Sequence, residues 1–172
     1  MSLLSRVSKL LGHEPRMLSV SVNLRGGKFF VVTIHGSSSG GEPCIAAGPV
    51  EVLSSEVHSS ELGAAVVHGL NQTRHDYPYP ANPEQWKAVT APLLSAAGCK
   101  TWAAFGKRAS DLRVDQEGTK FHVLPCMRDA KGAFAPVMER ERYLESPSEL
   151  ELGVLVAEEL AFAAARDDLA SK

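Results

Sequence analysis

One short stretch of the sequence carries a pattern associated with serine catalysis. Residues 36–41 are Gly-Ser-Ser-Ser-Gly-Gly, which contains G-x-S-x-G centred on Ser38. In α/β-hydrolases this pattern places a nucleophilic serine on a strained turn between a strand and a helix. Here Glu42-Pro43 and an apolar strand from Cys44 follow instead of a helix. The glycine- and serine-rich composition and the strand that follows therefore predict a flexible hairpin loop, and Ser38 is not expected to be a nucleophile.

Six histidines and three cysteines are the candidate metal ligands. Their spacing includes no H-x-x-x-H, H-E-x-x-H or C-x-x-C pattern, the arrangements that bring ligands together. His35 and Cys44 could face one another across a hairpin, but two ligands do not make a metal site. With no cofactor motif either, the sequence predicts no metal centre, no cofactor and no catalytic residue.

Two carboxylates, Glu139 and Glu141, lie on one face of a predicted strand at 134–144, about 6–7 Å apart by strand geometry. Hydrolytic acid–base chemistry needs such carboxylates in an apolar cleft. These alternate with Arg140 and Arg142, which favours a solvated ribbon. Because charges occupy both faces of this stretch, it is expected to run beyond the core or to lie at a sheet edge.

The segment from His75 to Pro83 is rich in proline and tyrosine, and it fits neither a helix nor a central strand. Its two tyrosines allow two interpretations: a connector whose rings pack across the sheet, or a rigid aromatic surface for a partner. The sequence alone does not separate them. Residues that carry more charge or aromatic surface than folding needs are the predicted partner-binding residues. They are Asp76, Tyr77, Tyr79, Glu139 and Glu141.

The elements that must position these residues repeat along the chain. Glu61-Leu62-Gly63 returns 90 residues later as Glu151-Leu152-Gly153, and each copy opens an apolar stripe of helical period. A strand, a glycine-containing turn and a second strand precede each helix, at 22–32 and 114–124. Glycine is costly inside a helix, so both glycines are expected where the helix backbone closely approaches the sheet.

The two predicted helices also carry start signals and equivalent core positions. Ser59 or Ser60 is the expected cap of the first helix. Ser148, with a glutamate three residues later, forms a capping box for the second. Leu62 and Leu152 occupy the same place in the two apolar stripes, so both are expected to be buried.

We therefore predict a single α+β domain in which a ββββα unit occurs twice. The repeats cover roughly residues 8–70 and 99–166, and the connector at 71–98 contains an extra helix that begins at Asn82-Pro83. The first strand of each repeat is expected at Lys9–Gly12, where a short helix is the alternative, and at Lys100–Phe105. The predicted architecture is two antiparallel sheets packed against each other, with one helix after each.

Length and composition limit the function classes. A chain of 172 residues, 44% of them apolar, builds one domain with a sizeable core. A formal net charge of −2 gives no general attraction to nucleic acid or to an anionic membrane. The odd number of cysteines and the lack of a secretory or membrane-spanning apolar run predict a soluble protein of a reducing compartment.

Several short motifs resemble those of the CdiI immunity proteins of bacterial contact-dependent growth inhibition. They are the Glu-Leu-Gly helices at 61–63 and 151–153, the Tyr-Pro segment at 77–80, Phe105-Gly106-Lys107, and the Ser-Pro-Ser-Glu-Leu-Glu-Leu-Gly run at 146–153. The resemblance covers roughly residues 15–165. It implies a cytoplasmic, non-catalytic protein that binds the toxin domain of a cognate CdiA effector, often a nuclease, and blocks it. Toxin-binding residues differ between members of that family, so none is transferred here.

The doubled layout also resembles that of Whirly proteins, and single-stranded nucleic-acid binding is the alternative function. Such binding uses a basic stripe with exposed aromatic side chains. The 18 lysines and arginines here are scattered and outnumbered by 20 aspartates and glutamates. This balance favours a one-to-one complex with a basic nuclease domain, because local acidic patches would complement the nuclease surface. Neither a nucleic-acid nor a membrane partner is expected.

Overall fold

The computed structural model describes residues 17–36, 44–128 and 133–170. This part of the chain forms seven strands and four helices. The strands are β1 (Leu18–Arg25), β2 (Lys28–His35), β3 (Ile45–Ser54), β4 (Ser110–Glu117), β5 (Lys120–Arg128), β6 (Phe134–Pro136) and β7 (Arg142–Glu145). The helices are α1 (Ser59–Asn71), α2 (Pro83–Ala96), α3 (Trp102–Gly106) and α4 (Glu149–Ala170).

All seven strands belong to one antiparallel sheet, in the order β3-β2-β1-β4-β5-β6, with β7 also paired to β5. β6 pairs with residues 126–128 of β5 and β7 with residues 120–123, so the two short strands share one edge of β5. The α+β class is confirmed. The prediction of two packed sheets is wrong, because β1 pairs with β4 along 18–24 and 110–116 and joins the two halves into one sheet.

The main core lies between one face of this sheet and the helices α1 and α4. Alternate residues of β1 and β4, such as Val20, Val22 and Leu112, point into it. Leu62 and Leu152 lie in the same cluster, each 1% exposed, so their equivalent burial is confirmed. On the opposite face, a smaller cluster packs α2 and α3 on the sheet; it comprises Phe30, Val32, Leu93, Phe105 and Ala109.

The two helices cross where both glycines stand. A Cβ added to Gly63 would overlap the carbonyl oxygen of Glu149, and a Cβ added to Gly153 would overlap that of Ser59. The close approach is therefore between two helices, and the predicted approach between helix and sheet is wrong at this point. Each glycine faces the carbonyl that lies four residues before the other glycine, so the contact is reciprocal. The internal repeat itself stays a prediction.

The start signals of α2 and α4 were predicted correctly, that of α1 was not, and α3 was not predicted. α2 begins at Pro83 after an Asn82 cap, as expected. The capping box is confirmed, since the Glu151 N–H donates to Ser148 Oγ at 3.2 Å and its carboxylate accepts from the Ser148 N–H at 2.8 Å. For α1 the expected serine cap is wrong: the ring of His58 accepts from the Ser60 N–H at 3.3 Å.

The strand predicted at Lys100–Phe105 is wrong. The hydroxyl of Thr101 accepts a hydrogen bond from the Ala104 N–H at 3.1 Å and caps the short helix α3. This turns Phe105 onto the sheet, where its ring meets Phe30 edge-on at 6.1 Å. The other expected first strand, Lys9–Gly12, and the Ser38 loop lie outside the described residues. Three described strands precede α1, and four lie between α1 and α4, so the ββββα order stays a prediction.

We expect Leu62→Ala and Leu152→Ala each to lower the free energy of unfolding by about 2–5 kcal/mol, because each removes a fully packed side chain from the main core. Urea denaturation measures the change. Leu150→Ala is the matched control, since Leu150 is 48% exposed on the same helix as Leu152. If either core variant loses no more stability than the control, Leu62 and Leu152 do not have equivalent buried roles.

Candidate partner-binding site

The segment from Thr73 to Asn82, here called the crossing segment, is fixed to the end of β2. The Gly36 N–H donates to the Arg74 carbonyl at 2.8 Å, and the Tyr77 N–H donates to the Gly36 carbonyl at 3.2 Å. The ring of Tyr77 stacks on that of His35, with 4.5 Å between centroids and 5° between planes. Backbone pairing and ring stacking therefore set the path of this segment.

His35 is the anchor of this arrangement, and its protonation state follows from its contacts. Burial is the main cause that lowers the pKa of His35. Its Nδ1 accepts from the Arg74 N–H at 3.1 Å, and its Nε2 donates to the Ala47 carbonyl at 3.2 Å. This is the pattern of a neutral imidazole with its proton on Nε2. His35 thus serves as a structural support for Tyr77.

The other predicted residues of the crossing segment lie nearer to solvent. Asp76 pairs with Arg74 at 3.1 Å, and both side chains are exposed. The rings of Tyr79 and of Trp86 on α2 are nearly perpendicular, with 5.5 Å between centroids. Both tyrosines are half-buried. Their rings pack on the chain itself, as the connector interpretation expects, and part of each ring remains at the surface.

Glu139 and Glu141 do not share a strand face as predicted. The expected strand at 134–144 is interrupted by a 3-10 turn at Met138–Arg140, which contains Glu139 and precedes Glu141. The turn separates β6 from β7. Glu139 lies within the turn, and Glu141 lies between the turn and β7. Of the two expected positions, beyond the core or at a sheet edge, the structure has the sheet edge, since both strands pair along the outer side of β5.

The arginines beside these glutamates bind a buried carboxylate of α4. Glu159 on α4, only 2% exposed, accepts from Arg140 at 2.8 and 3.0 Å and from Arg142 at 3.3 Å. The Arg140 guanidinium also lies 4.3 Å from the ring centroid of Phe162. The sequence analysis missed Glu159. The sequence did contain a signal. Glu159 lies beside Leu160 within the apolar stripe of α4, and a charge buried at such a position needs a partner of opposite charge.

Glu141 is also held by neighbours. Its carboxylate lies 2.6 Å from His122 Nε2, although the geometry there is not that of a hydrogen bond, and the ring of His122 stacks on Tyr143 with 4.8 Å between centroids. A hydrogen bond with Glu141 raises the pKa of the exposed Tyr143. Of the two predicted carboxylates, Glu139 is the exposed one. Glu141 has a structural role in the edge, whatever else it contacts.

The structure does not bring the five predicted residues together. The crossing segment lies at the end of β2, whereas Glu141 lies beside β5, and β1 and β4 run between these strands. Neighbouring strands are about 4.8 Å apart, so about 14 Å of sheet separates the two groups. They form two surfaces, which one partner could contact only by spanning the sheet.

A ladder of polar side chains, which the sequence analysis missed, crosses the face of the sheet opposite α1 and α4. Ser19 Oγ donates to Asp115 at 2.5 Å, and Ser21 Oγ donates to Asp111 at 2.6 Å. Arg113 Nε donates to Asp115 at 2.7 Å. Burial raises the pKa of Asp111. The ladder ties β1 to β4, and its signal in the sequence was the polar set at every second residue of both strands.

The thiols and histidines form no evident metal site. Cys44, Cys99 and Cys126 are free thiols, and burial raises the pKa of Cys126 to about 12. Within 17–36, 44–128 and 133–170, no group of three or more His, Cys, Asp or Glu side chains could hold a metal ion. Across the same residues, every helix is too short or too polar to span a lipid bilayer.

No protein-family model and no curated protein matches this sequence. Solved structures do share its fold. A protein of unknown function from Neisseria meningitidis superposes with a TM-score of 0.71 at 16% identity, covering 88% of this chain and 98% of its own. A chain of the CdiA-CT/CdiI toxin and immunity complex from Yersinia pseudotuberculosis superposes with a TM-score of 0.68 at 15% identity, covering 86% of this chain and 97% of its own. This chain therefore has the fold of one component of a toxin and immunity complex.

Proposed function

We propose that this protein is an immunity protein of the CdiI type, which binds the toxin domain of a cognate CdiA effector and neutralises it without catalysis of its own. The observation that carries the proposal is the fold shared with a chain of a toxin and immunity complex over 86% of this chain. The resemblance of the Glu-Leu-Gly and Tyr-Pro motifs to CdiI proteins supports it from the sequence side. The exposed carboxylates and tyrosines support the more specific proposals about the toxin, given next.

The proposed toxin is a nuclease domain, bound one to one in the cytoplasm. A nuclease must present a basic surface to phosphates, and exposed carboxylates on an inhibitor complement such a surface. Asp76 and Glu139 supply exposed carboxylates at the two candidate surfaces. Tyr77 and Tyr79 supply the aromatic contact area of the crossing segment, and Glu141 orients the edge through His122 and Tyr143.

The test begins with the gene upstream of this one, where the proposal expects a large effector with a variable C-terminal domain. Expression of that domain alone should arrest growth, and co-expression of this protein should restore it. The purified pair should elute as a one-to-one complex. A single-stranded oligonucleotide is the control. Tight, salt-sensitive binding to that oligonucleotide, with no effect on the toxin domain, would favour the Whirly-type alternative and overturn the proposal.

Charge reversal at the exposed edge carboxylate, Glu139→Lys, is expected to slow association with the toxin domain about two- to tenfold at low salt. Salt should reduce the difference, because the charge is exposed and screened. Stopped-flow binding measures the rate. Glu139 is changed alone because reversal at Glu141 would also disturb His122 and Tyr143. Glu117→Lys, the same change at an exposed hairpin residue, is the control, and an equal effect there would contradict a local role.

A further inference from the structure

An apolar cavity of about 310 Å³ lies between β3 and α2. Its floor comes from the sheet and its wall from the helices; lining residues include Val32, Ala46, Val50, Trp86, Leu93 and Trp102. Leu93 is the one buried residue of α2. Trp86, Val89 and Leu93 of this helix line the cavity, so part of its apolar side faces an open space above the strand.

The lining selects a neutral, apolar occupant. Among the residues that the structure describes, no charged side chain lines it, and Cys44 and Thr90 are its polar members. Sites for small metabolites place a few convergent polar groups that orient the ligand, in pockets of about 300–1,000 Å³. This cavity is at the small end of that range, and its described lining lacks such groups. Its size and chemistry suit an apolar side chain better than a metabolite.

The rim points to a protein as the source of that side chain. Trp86 and Trp102 border the cavity and are 38% and 47% exposed. Tryptophan is enriched among the residues that dominate binding energy at protein interfaces. Tyr79 packs against Trp86, so the cavity is continuous with the crossing segment. The cavity and the tyrosines together form one apolar and aromatic surface.

We propose that this cavity receives an apolar side chain of the toxin domain, and that Trp86 and Trp102 close around it. The inference rests on the proposed function and assigns its principal contact to the α2 side of the sheet. The acidic groups then act at the periphery, where they influence the association rate. The apolar anchor is expected to determine the dissociation rate.

The two rim residues allow a direct test, because they are the two tryptophans of the chain. Protein labelled with 5-fluorotryptophan gives two fluorine NMR signals, and both report on the cavity. Addition of the unlabelled toxin domain encoded upstream should shift both signals. A one-to-one complex in which neither signal moves would overturn the inference and leave the proposed function intact. If that domain forms no complex with the wild-type protein, both proposals are overturned.

Filling the cavity gives the second test. Ala46→Phe places a ring on the floor and is expected to accelerate dissociation of the toxin domain about 30-fold. Ala88→Phe adds the same ring to an exposed position of α2 outside the lining, and it should leave the rate unchanged. Trp102→Ala, expected to accelerate dissociation about tenfold, decides the test if Ala46→Phe does not fold. Folded variants that dissociate at the wild-type rate would overturn the inference.

Discussion

Replacement of Gly63 or Gly153 by alanine is expected to lower the free energy of unfolding by about 3 kcal/mol or more, at the upper end of the cost of overpacking. In an isolated helix the same change would be favourable by about 1 kcal/mol. The expected sign is opposite because each new methyl group would overlap a backbone carbonyl of the other helix. Backbone cannot move aside as a flexible side chain can, so α1 and α4 must separate.

Urea denaturation of the two single variants measures this cost. Gly106→Ala is the control, because among the described residues a Cβ on this helical glycine meets only the ring of Phe134, at an ordinary 3.9 Å. It should not lower the free energy of unfolding, and it should raise it by up to about 1 kcal/mol, the difference between alanine and glycine in a helix. The double variant should cost less than the two single variants added together, since one separation of the helices relieves both overlaps. A single variant as stable as the wild type would show that the crossing is looser than described.

The sequence predicted most of the local elements, with errors at Lys100–Phe105 and at 134–144, and it predicted their long-range partners poorly. Alternation identified β1, and capping identified the starts of α2 and α4, because those signals depend on neighbours within a few residues. The sheet order did not follow from the pattern. β1 and β4 each present one apolar and one polar face, so the same alternation suits one continuous sheet or two packed sheets. Their pairing joins residues about 90 positions apart and has no local signal.

Contacts between residues distant in the sequence also shape the candidate site, and they too have no local signal. The crossing segment was located from its prolines and tyrosines, but the stack of Tyr77 on His35 depends on where β2 ends. Glu141 was interpreted as a solvated charge because its sequence neighbours are arginines. Its partner His122 comes from the adjacent strand. The cavity beside Trp86 arises from how α2 rests on β3, and hydrophobic periodicity does not report the distance between two elements.

A second large loss of stability is expected where Arg140 and Arg142 clamp Glu159. Glu159→Ala should lower the free energy of unfolding by about 3 kcal/mol, at the lower end of the cost of breaking a buried ion pair. The carboxylate is 2% exposed, but the side chains of Arg140 and Arg142 are 33% and 48% exposed. Water can therefore solvate both guanidinium groups once the carboxylate is removed, which limits the penalty of leaving them unpaired.

The location of the damage distinguishes this variant from a general loss of core packing. Arg140 and Arg142 bring the chain between β6 and β7 onto α4, so their release should free β7 before the rest of the sheet. Hydrogen exchange should accelerate first at the amides of β7 that pair with residues 120–123 of β5. Glu158→Ala removes the neighbouring, exposed carboxylate and should change stability by less than about 0.5 kcal/mol. If Glu159→Ala costs no more than this control, or if exchange accelerates equally in β1 and β7, the clamp does not hold the edge that carries Glu139 and Tyr143.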